Sequence, residues 1–280
     1  MAAAQEPERF ARIAADARAA AESRARRVPM RRLKEMARRA PGARDARTAL
    51  CAPDRAVSVI AEVKRSAATF ADLSGAGAPG MLARFYAAGG AACVSVVTDP
   101  HRCDGSLEDL DAVREAIDVP VLAHDLVVTP YQVHEARAHG ADLLMLDARL
   151  EPLILEGLIE RVHSLGMSAV VQVRTRREAL TAIETGGRMI AVDTRDPQTR
   201  QVDRSRFDQV AEVLPAGITR IVAGGVLGPH DVMDLARSGA DVVLAGEAIL
   251  RSTDPQQFVA ELVAAGAHPS LLHVANREAR

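Results

Sequence analysis

Two charged side chains stand one residue apart at the end of an apolar run. The stretch 57–65, VSVIAEVKR, closes on Glu62 and Lys64. A carboxylate beside an ammonium can hold, donate or accept a proton, and the same pair can serve as a plain strand-end ion pair. The run is short and rich in β-branched residues, which is the pattern of a buried strand. Strand alternation puts Glu62 and Lys64 on one face. At a barrel mouth that face would do acid–base chemistry; at an ordinary rim it would only pair charges.

The elements that must position this pair follow a regular rhythm. Apolar strand-like runs are expected at 57–63, 92–97, 119–123, 142–146, 168–173, 189–193, 219–223 and 241–245. Amphipathic helical stretches lie between them, at 107–116, 130–139, 153–165, 176–185, 204–213 and 229–238. Ser106, Thr129-Pro130 and Gly228-Pro229 are helix-opening signals. Gly140, Gly166, Gly187 and Gly239 sit where helices should stop. Eight buried strands alternating with helices predict an α/β fold, a (β/α)8 TIM barrel. The rival, a doubly wound open sheet, would carry a glycine fingerprint after its first strand, and none is there. Residues 1–50 read as an N-terminal helical extension packed on the barrel, and 51–280 as the barrel itself. Within the extension, Arg24, Arg26, Arg27, Arg31 and Arg32 read as a solvated face.

In such a barrel the chemistry lies at the C-terminal strand ends. Those positions hold Glu62 and Lys64; Thr98, Asp99, His101 and Arg102; His124 and Asp125; Asp147 and Arg149; Gln172 and Arg174; Asp193 and Arg195; Gly224 and Gly225; Gly246 and Glu247. A structural barrel has no need for this polar ring, so the catalytic reading of Glu62 and Lys64 gains weight. The last two ends are glycine-bearing. Gly224, Gly225, Gly246 and Glu247 are expected to bind a phosphate, aided by the helix that starts near Pro229. The alternative is that the glycines only permit tight turns.

Composition narrows the partners. A net charge of −2 leaves no electrostatic footprint for nucleic acid or an anionic membrane. Aromatic residues are 2% of the chain and Trp is absent, which argues against base-stacking platforms and interfacial belts. Cys51, Cys93 and Cys103 show neither metal spacing nor a disulfide framework, so the expectation is a cytoplasmic protein with no metal and no cofactor. No signal-peptide core opens the chain. A monomer or homodimer is expected.

The segments IAEVKR (60–65), SVVTDP with GSLEDL (95–100 and 105–110), PVLAHDLVVTPYQVHEARAHGAD (120–142), LGMSAVVQV (165–173), AVDTRD (191–196) and GADVVLAGEAILRSTDP (239–255) resemble the indole-3-glycerol phosphate synthase family. That resemblance implies a ring closure of a carboxyphenylamino deoxyribulose phosphate with loss of carbon dioxide and water. It implies roles for Glu62, Lys64 and Arg195, and a phosphate at Gly225 and Gly246. The chain departs from the family pattern elsewhere. His124 replaces a catalytic lysine, Gln172 a catalytic glutamate, Asp193 an asparagine and Gly224 a serine. Ala67-Ala68-Thr69 replaces a Ser-Pro-Ser turn, and Arg102-Cys103 and Leu126 replace phenylalanines. Gln172 cannot take a proton, and Asp193 would repel a substrate carboxylate. The expectation is therefore a diverged carbon–carbon lyase acting on a phosphorylated sugar-derived molecule other than the anthranilate adduct. Glu62, Lys64, His124 and Asp193 are its catalytic candidates, and Arg102, Asp147, Gln172, Arg174 and Arg195 its substrate-binding ones. The alternatives are the family's own synthase activity and a non-catalytic barrel that binds a phosphate ligand.

Overall fold

The computed structural model describes residues 2–65, 78–100, 103–196, 199 and 201–271, with side chains from Glu6 onward. Arg102, His101 and the 67–69 turn lie outside the described residues.

Eight parallel strands close into a barrel in sequence order. They are β1 (Ser58–Val63), β2 (Cys93–Val97), β3 (Val121–His124), β4 (Leu143–Asp147), β5 (Ser168–Val173), β6 (Met189–Asp193), β7 (Thr219–Ala223) and β8 (Val242–Ala245). Closure comes from β8 pairing with β1, Ser58 opposite Val242 and Ala61 opposite Ala245. Each expected strand is present, displaced by no more than two residues.

The side-chain period of two builds the barrel interior in layers. Ile60, Cys93, Leu122, Met145, Val170, Ala191 and Leu244 belong to one buried apolar cluster. Two residues further along the same strands come Glu62, Ser95, His124, Asp147, Gln172, Asp193 and Gly246. Alternation thus sets a polar layer directly above an apolar plug, at the C-terminal mouth. The opposite faces, with Val59, Ala61, Val94, Val96, Val171 and Val192, pack against the surrounding helices.

The N-terminal segment forms α1 (Ala2–Arg27), α2 (Met30–Arg39) and the short α3 (Ala46–Leu50). Pro29 divides α1 from α2: the residue becomes the N-cap of α2 in an extended conformation. Ala46 and Leu50 of α3 join the barrel's inner apolar cluster. Helix α6 (Pro130–Ala138) is the rail that holds this segment. Its Tyr131 hydroxyl donates to the Val28 carbonyl at 3.0 Å, and its Glu135 accepts both Arg24 Nε and Nη2 at 2.7 and 2.8 Å. Arg24 is therefore an anchor and not part of a solvated face, whereas Arg31 is exposed as expected.

Ser106 and Thr129 cap α5 (Leu107–Ala116) and α6, each accepting a backbone N–H three residues on. The remaining helices are α7 (Pro152–Ser164), α8 (Arg176–Glu184), α9 (Ser205–Ala211) and α10 (Pro229–Arg237). Helices α4 (Pro79–Ala88), α11 (Glu247–Arg251) and α12 (Pro255–Gly266) are not singled out by the sequence reading. Proline at the first turn of α4 and α12 is the signal that could have found them. No helix among the described residues is long and apolar enough to cross a membrane.

Candidate active site

The β1–β3 side of the mouth is organised by one buried carboxylate. Glu62 is 5% exposed. Its Oε1 accepts from Lys64 Nζ at 3.2 Å, and its Oε2 lies 2.9 Å from His124 Nδ1 and 3.5 Å from Ser95 Oγ. Burial works to raise the Glu62 carboxyl, but the Lys64 charge and the His124 hydrogen bond outweigh it and bring it down to about 2. Glu62 is thus an anion that can only accept, so the hydrogen bond requires the proton on His124 Nδ1 and leaves Nε2 for another partner. Ser95, a lone polar residue in the Val94–Val97 run, was not singled out in the sequence. The signal was there, because Ser95 shares the inward face with Cys93.

The β4–β6 side holds a chain of alternating charge. Asp147 accepts from Arg149 N and Nε through Oδ1 and from Nη2 through Oδ2. Arg149 also pairs with Glu6 of α1 at 3.0 Å and sits over the Phe10 ring at 4.0 Å from its centroid. Burial would raise the Asp147 carboxyl, yet the Arg149 hydrogen bonds and charge hold it below its ordinary range. Asp147 is therefore occupied in clamping α1 through Arg149. Arg174 Nη1 reaches to 3.7 Å from Asp147 Oδ2, while Nε and Nη2 bind Asp193 Oδ2 at 3.1 and 2.9 Å. Gln172 Nε2 donates to the same oxygen at 2.9 Å. Asp193 is thus compensated by Arg174 and does not present the bare charge that would repel a substrate carboxylate.

The β7–β8 side carries the glycines. Gly224 and Gly225 have φ of +88° and +76°. Both occupy the left-handed region where a side chain is strained. A Cβ on Gly225 would stand 2.6 Å from Val202 Cγ1. Gly246 has an ordinary φ, but a Cβ there would meet the Glu62 Cβ at 3.0 Å and Oε1 at 3.1 Å. Its glycine makes room for Glu62, a packing reason that the sequence did not show. Glu247 does not face a phosphate with a bare carboxylate: Oε2 accepts from Arg195 Nη2 at 2.6 Å and Oε1 from Arg251 Nη2 at 3.2 Å. Among the described side chains, two arginines thus surround this carboxylate. They line a cavity of about 650 Å³ with Val202, Leu227, Ser252 and Phe258. The start of α10 is no anion site, because Asp231 Oδ2 already accepts from Leu227 N and Gly228 N at 2.6 and 3.2 Å. Among the described residues no cluster of three His, Cys, Asp or Glu could hold a metal.

Ionisable groups gathered over an apolar plug at the C-terminal mouth make this an enzyme barrel, of the parallel (β/α)8 class. The fold is shared with solved barrels of low identity, among them 3-hexulose-6-phosphate synthase from Salmonella typhimurium (TM-score 0.61, 18% identity, covering 75% of this chain and 98% of that one). The family is shown by sequence. The model of indole-3-glycerol phosphate synthase matches residues 10–262. The indole-3-glycerol phosphate synthase of Beutenbergia cavernae is 50% identical over 87% of this chain and 90% of its own length. That of Mycolicibacterium vanbaalenii is 49% identical over 87% and 89%. The chain belongs to the indole-3-glycerol phosphate synthase family, and with it to the carbon–carbon lyases. These relatives overturn the expectation of a diverged enzyme for another substrate. Two of the replaced residues are absorbed locally: Arg174 compensates Asp193, and His124 hydrogen-bonds to Glu62.

Proposed function

We propose that this protein closes the indole ring of carboxyphenylamino deoxyribulose phosphate, releasing carbon dioxide and water, as a cytoplasmic step of tryptophan biosynthesis. One observation carries the reading: in a chain half identical to named synthases, a buried Glu62 holds both Lys64 and His124 at the barrel mouth. In the ring closure the aromatic carbon bearing the carboxylate bonds to the ketose carbon, whose oxygen takes a proton. The carboxylate then leaves as carbon dioxide, and its electron pair returns to the ring. Next the new hydroxyl takes a second proton and leaves as water. Both protons go to the same oxygen, so donors grouped on one side of the mouth suit the chemistry. Lys64 Nζ is one such donor and His124 Nε2 a second when the ring carries both protons, and Glu62 holds their orientation. Arg195 and Arg251 supply the charge for the substrate phosphate, with Gly224, Gly225 and Gly246 allowing backbone to approach it. The substrate is a phosphorylated small molecule. Residues 1–50 are the helical extension packed on the barrel, and 51–280 the barrel.

The test is direct. The purified chain is mixed with carboxyphenylamino deoxyribulose phosphate and followed for indole fluorescence. Turnover is expected, and Lys64→Ala is expected to abolish most of it. An unaltered chain with no turnover, or a Lys64→Ala variant with full turnover, would refute the reading.

A further inference from the structure

The reaction also releases a proton, and the donors on the β1–β3 side do not account for it. Once water has left, the ring carbon is electron-poor. The ring becomes aromatic when the neighbouring CH2, which lies between that carbon and the nitrogen, loses a proton to a base. Its C–H electron pair becomes the new carbon–carbon double bond. A proton beside a cationic carbon is acidic, so a weak base at a fixed position is enough.

Resting on the proposed ring closure, we infer that Asp193 Oδ1 is the acceptor of this proton, held in place by Gln172 and Arg174. The polar layer of the barrel contains three carboxylates, Glu62, Asp147 and Asp193. Glu62 has one oxygen on Lys64 and the other on His124. Asp147 has both oxygens on Arg149. Asp193 differs: Gln172 and Arg174 converge on Oδ2, while among the described residues Oδ1 accepts only the backbone N–H of Arg195 at 3.0 Å. A carboxylate oxygen has room for a second hydrogen-bonding partner beyond that N–H. The Arg174 cation and the Gln172 amide thus fix the carboxylate through one oxygen and leave the other for the substrate. Asp193 ends β6 and Gln172 lies on β5, across the barrel from the Glu62 cluster on β1 to β3. Donors and acceptor then flank a substrate lying across the mouth. Gln172 is a positioning residue, since an amide cannot take the proton itself.

The hydrogen-bonded amide and carboxylate are nearly equal in shape, so they can be exchanged. Asp193→Asn and the double variant Gln172→Glu/Asp193→Asn are compared with the unaltered chain on carboxyphenylamino deoxyribulose phosphate. Asp193→Asn is expected to lower kcat by about 100-fold or more while KM changes little. The double variant returns a carboxylate to the pair and is expected to recover at least about tenfold of that loss. The carboxylate brought by Gln172→Glu would also meet a need for counter-charge at Arg174, so kcat is followed against pH as well. A proton acceptor gives an acidic limb in the unaltered chain and the double variant that Asp193→Asn lacks, and a limb kept in Asp193→Asn would overturn the assignment. Should Asp193→Asn fold poorly, the double variant, which keeps the pair, is compared with Gln172→Glu/Asp193→Gln, whose added carboxamide methylene displaces the partner. Turnover by the unaltered chain with Asp193→Asn within about fivefold of it would overturn this assignment alone. So would a double variant no faster than Asp193→Asn. An unaltered chain without turnover would overturn the ring closure itself, and this assignment with it.

Discussion

Glu62 Oε2 and His124 Nδ1 lie 2.9 Å apart, across two strand boundaries from β1 to β3. The contact gives a buried anion a second cation-capable partner besides Lys64. It depends on barrel curvature, since β2 lies between the two strands and contributes Ser95 to the same oxygen at 3.5 Å.

This pairing makes stability pH-dependent. The Glu62 carboxyl titrates near 4.5 when unfolded and near about 2 when folded. Between those values the unfolded chain binds the proton and the folded chain does not, so the contribution is full above pH about 5 and is lost as pH falls toward about 2. Glu62→Gln is expected to cost on the order of 3 kcal/mol at neutral pH. Melting curves of both proteins from neutral to acidic pH should converge as the pH drops. A gap independent of pH would show that the carboxylate charge is not what stabilises the site.

Gly246 should separate activity from stability. Its φ of −140° is open to any residue, so Ala carries no backbone strain. Its Cβ, however, would press on Glu62 at 3.0 Å. Gly246→Ala is expected to lower turnover by about tenfold or more, because a small displacement of an orienting group is costly, with a melting shift of only a few degrees. Gly225→Ala, at φ +76° and against Val202, should instead destabilise the fold by about 1–3 kcal/mol. Calorimetry beside a turnover assay distinguishes the two.

Arg149 ties the mouth to the N-terminal helix. Removing it leaves Asp147, 7% exposed, without its main partner, and frees Glu6 and Phe10 of α1. Arg149→Ala is expected to destabilise the chain by about 3–5 kcal/mol and to expose α1 to proteolysis. Urea unfolding and limited digestion measure both. Digestion of α1 at the unaltered rate would show that the clamp does not hold the helix.

The phosphate corner should respond to a simple ion. Inorganic phosphate is expected to raise the melting temperature, and Arg251→Ala or Arg195→Ala to remove most of that shift. The effect should weaken with added salt, because both arginines are partly exposed. A shift unchanged in both variants would place the phosphate elsewhere.

The sequence by itself determined the strands, their order and the layer that faces the mouth. A period of two over short apolar runs has few solutions, and closed parallel strands must bury both faces. It also identified the family and most of the polar mouth, because Glu62, His124, Gln172 and Asp193 stand two residues beyond inward apolar neighbours. Tertiary structure alone decided what each charge does. Arg24 meets Glu135 across 111 positions, Arg195 meets Glu247 across 52, and Arg174 compensates Asp193 from the adjacent strand. No local pattern carries such pairings, since they arise only when the barrel closes and the helices dock. That is why Asp193 reads as a repelling charge and the α10 start as an anion site in the sequence. In the closed barrel they are a compensated carboxylate and a helix already capped by Asp231.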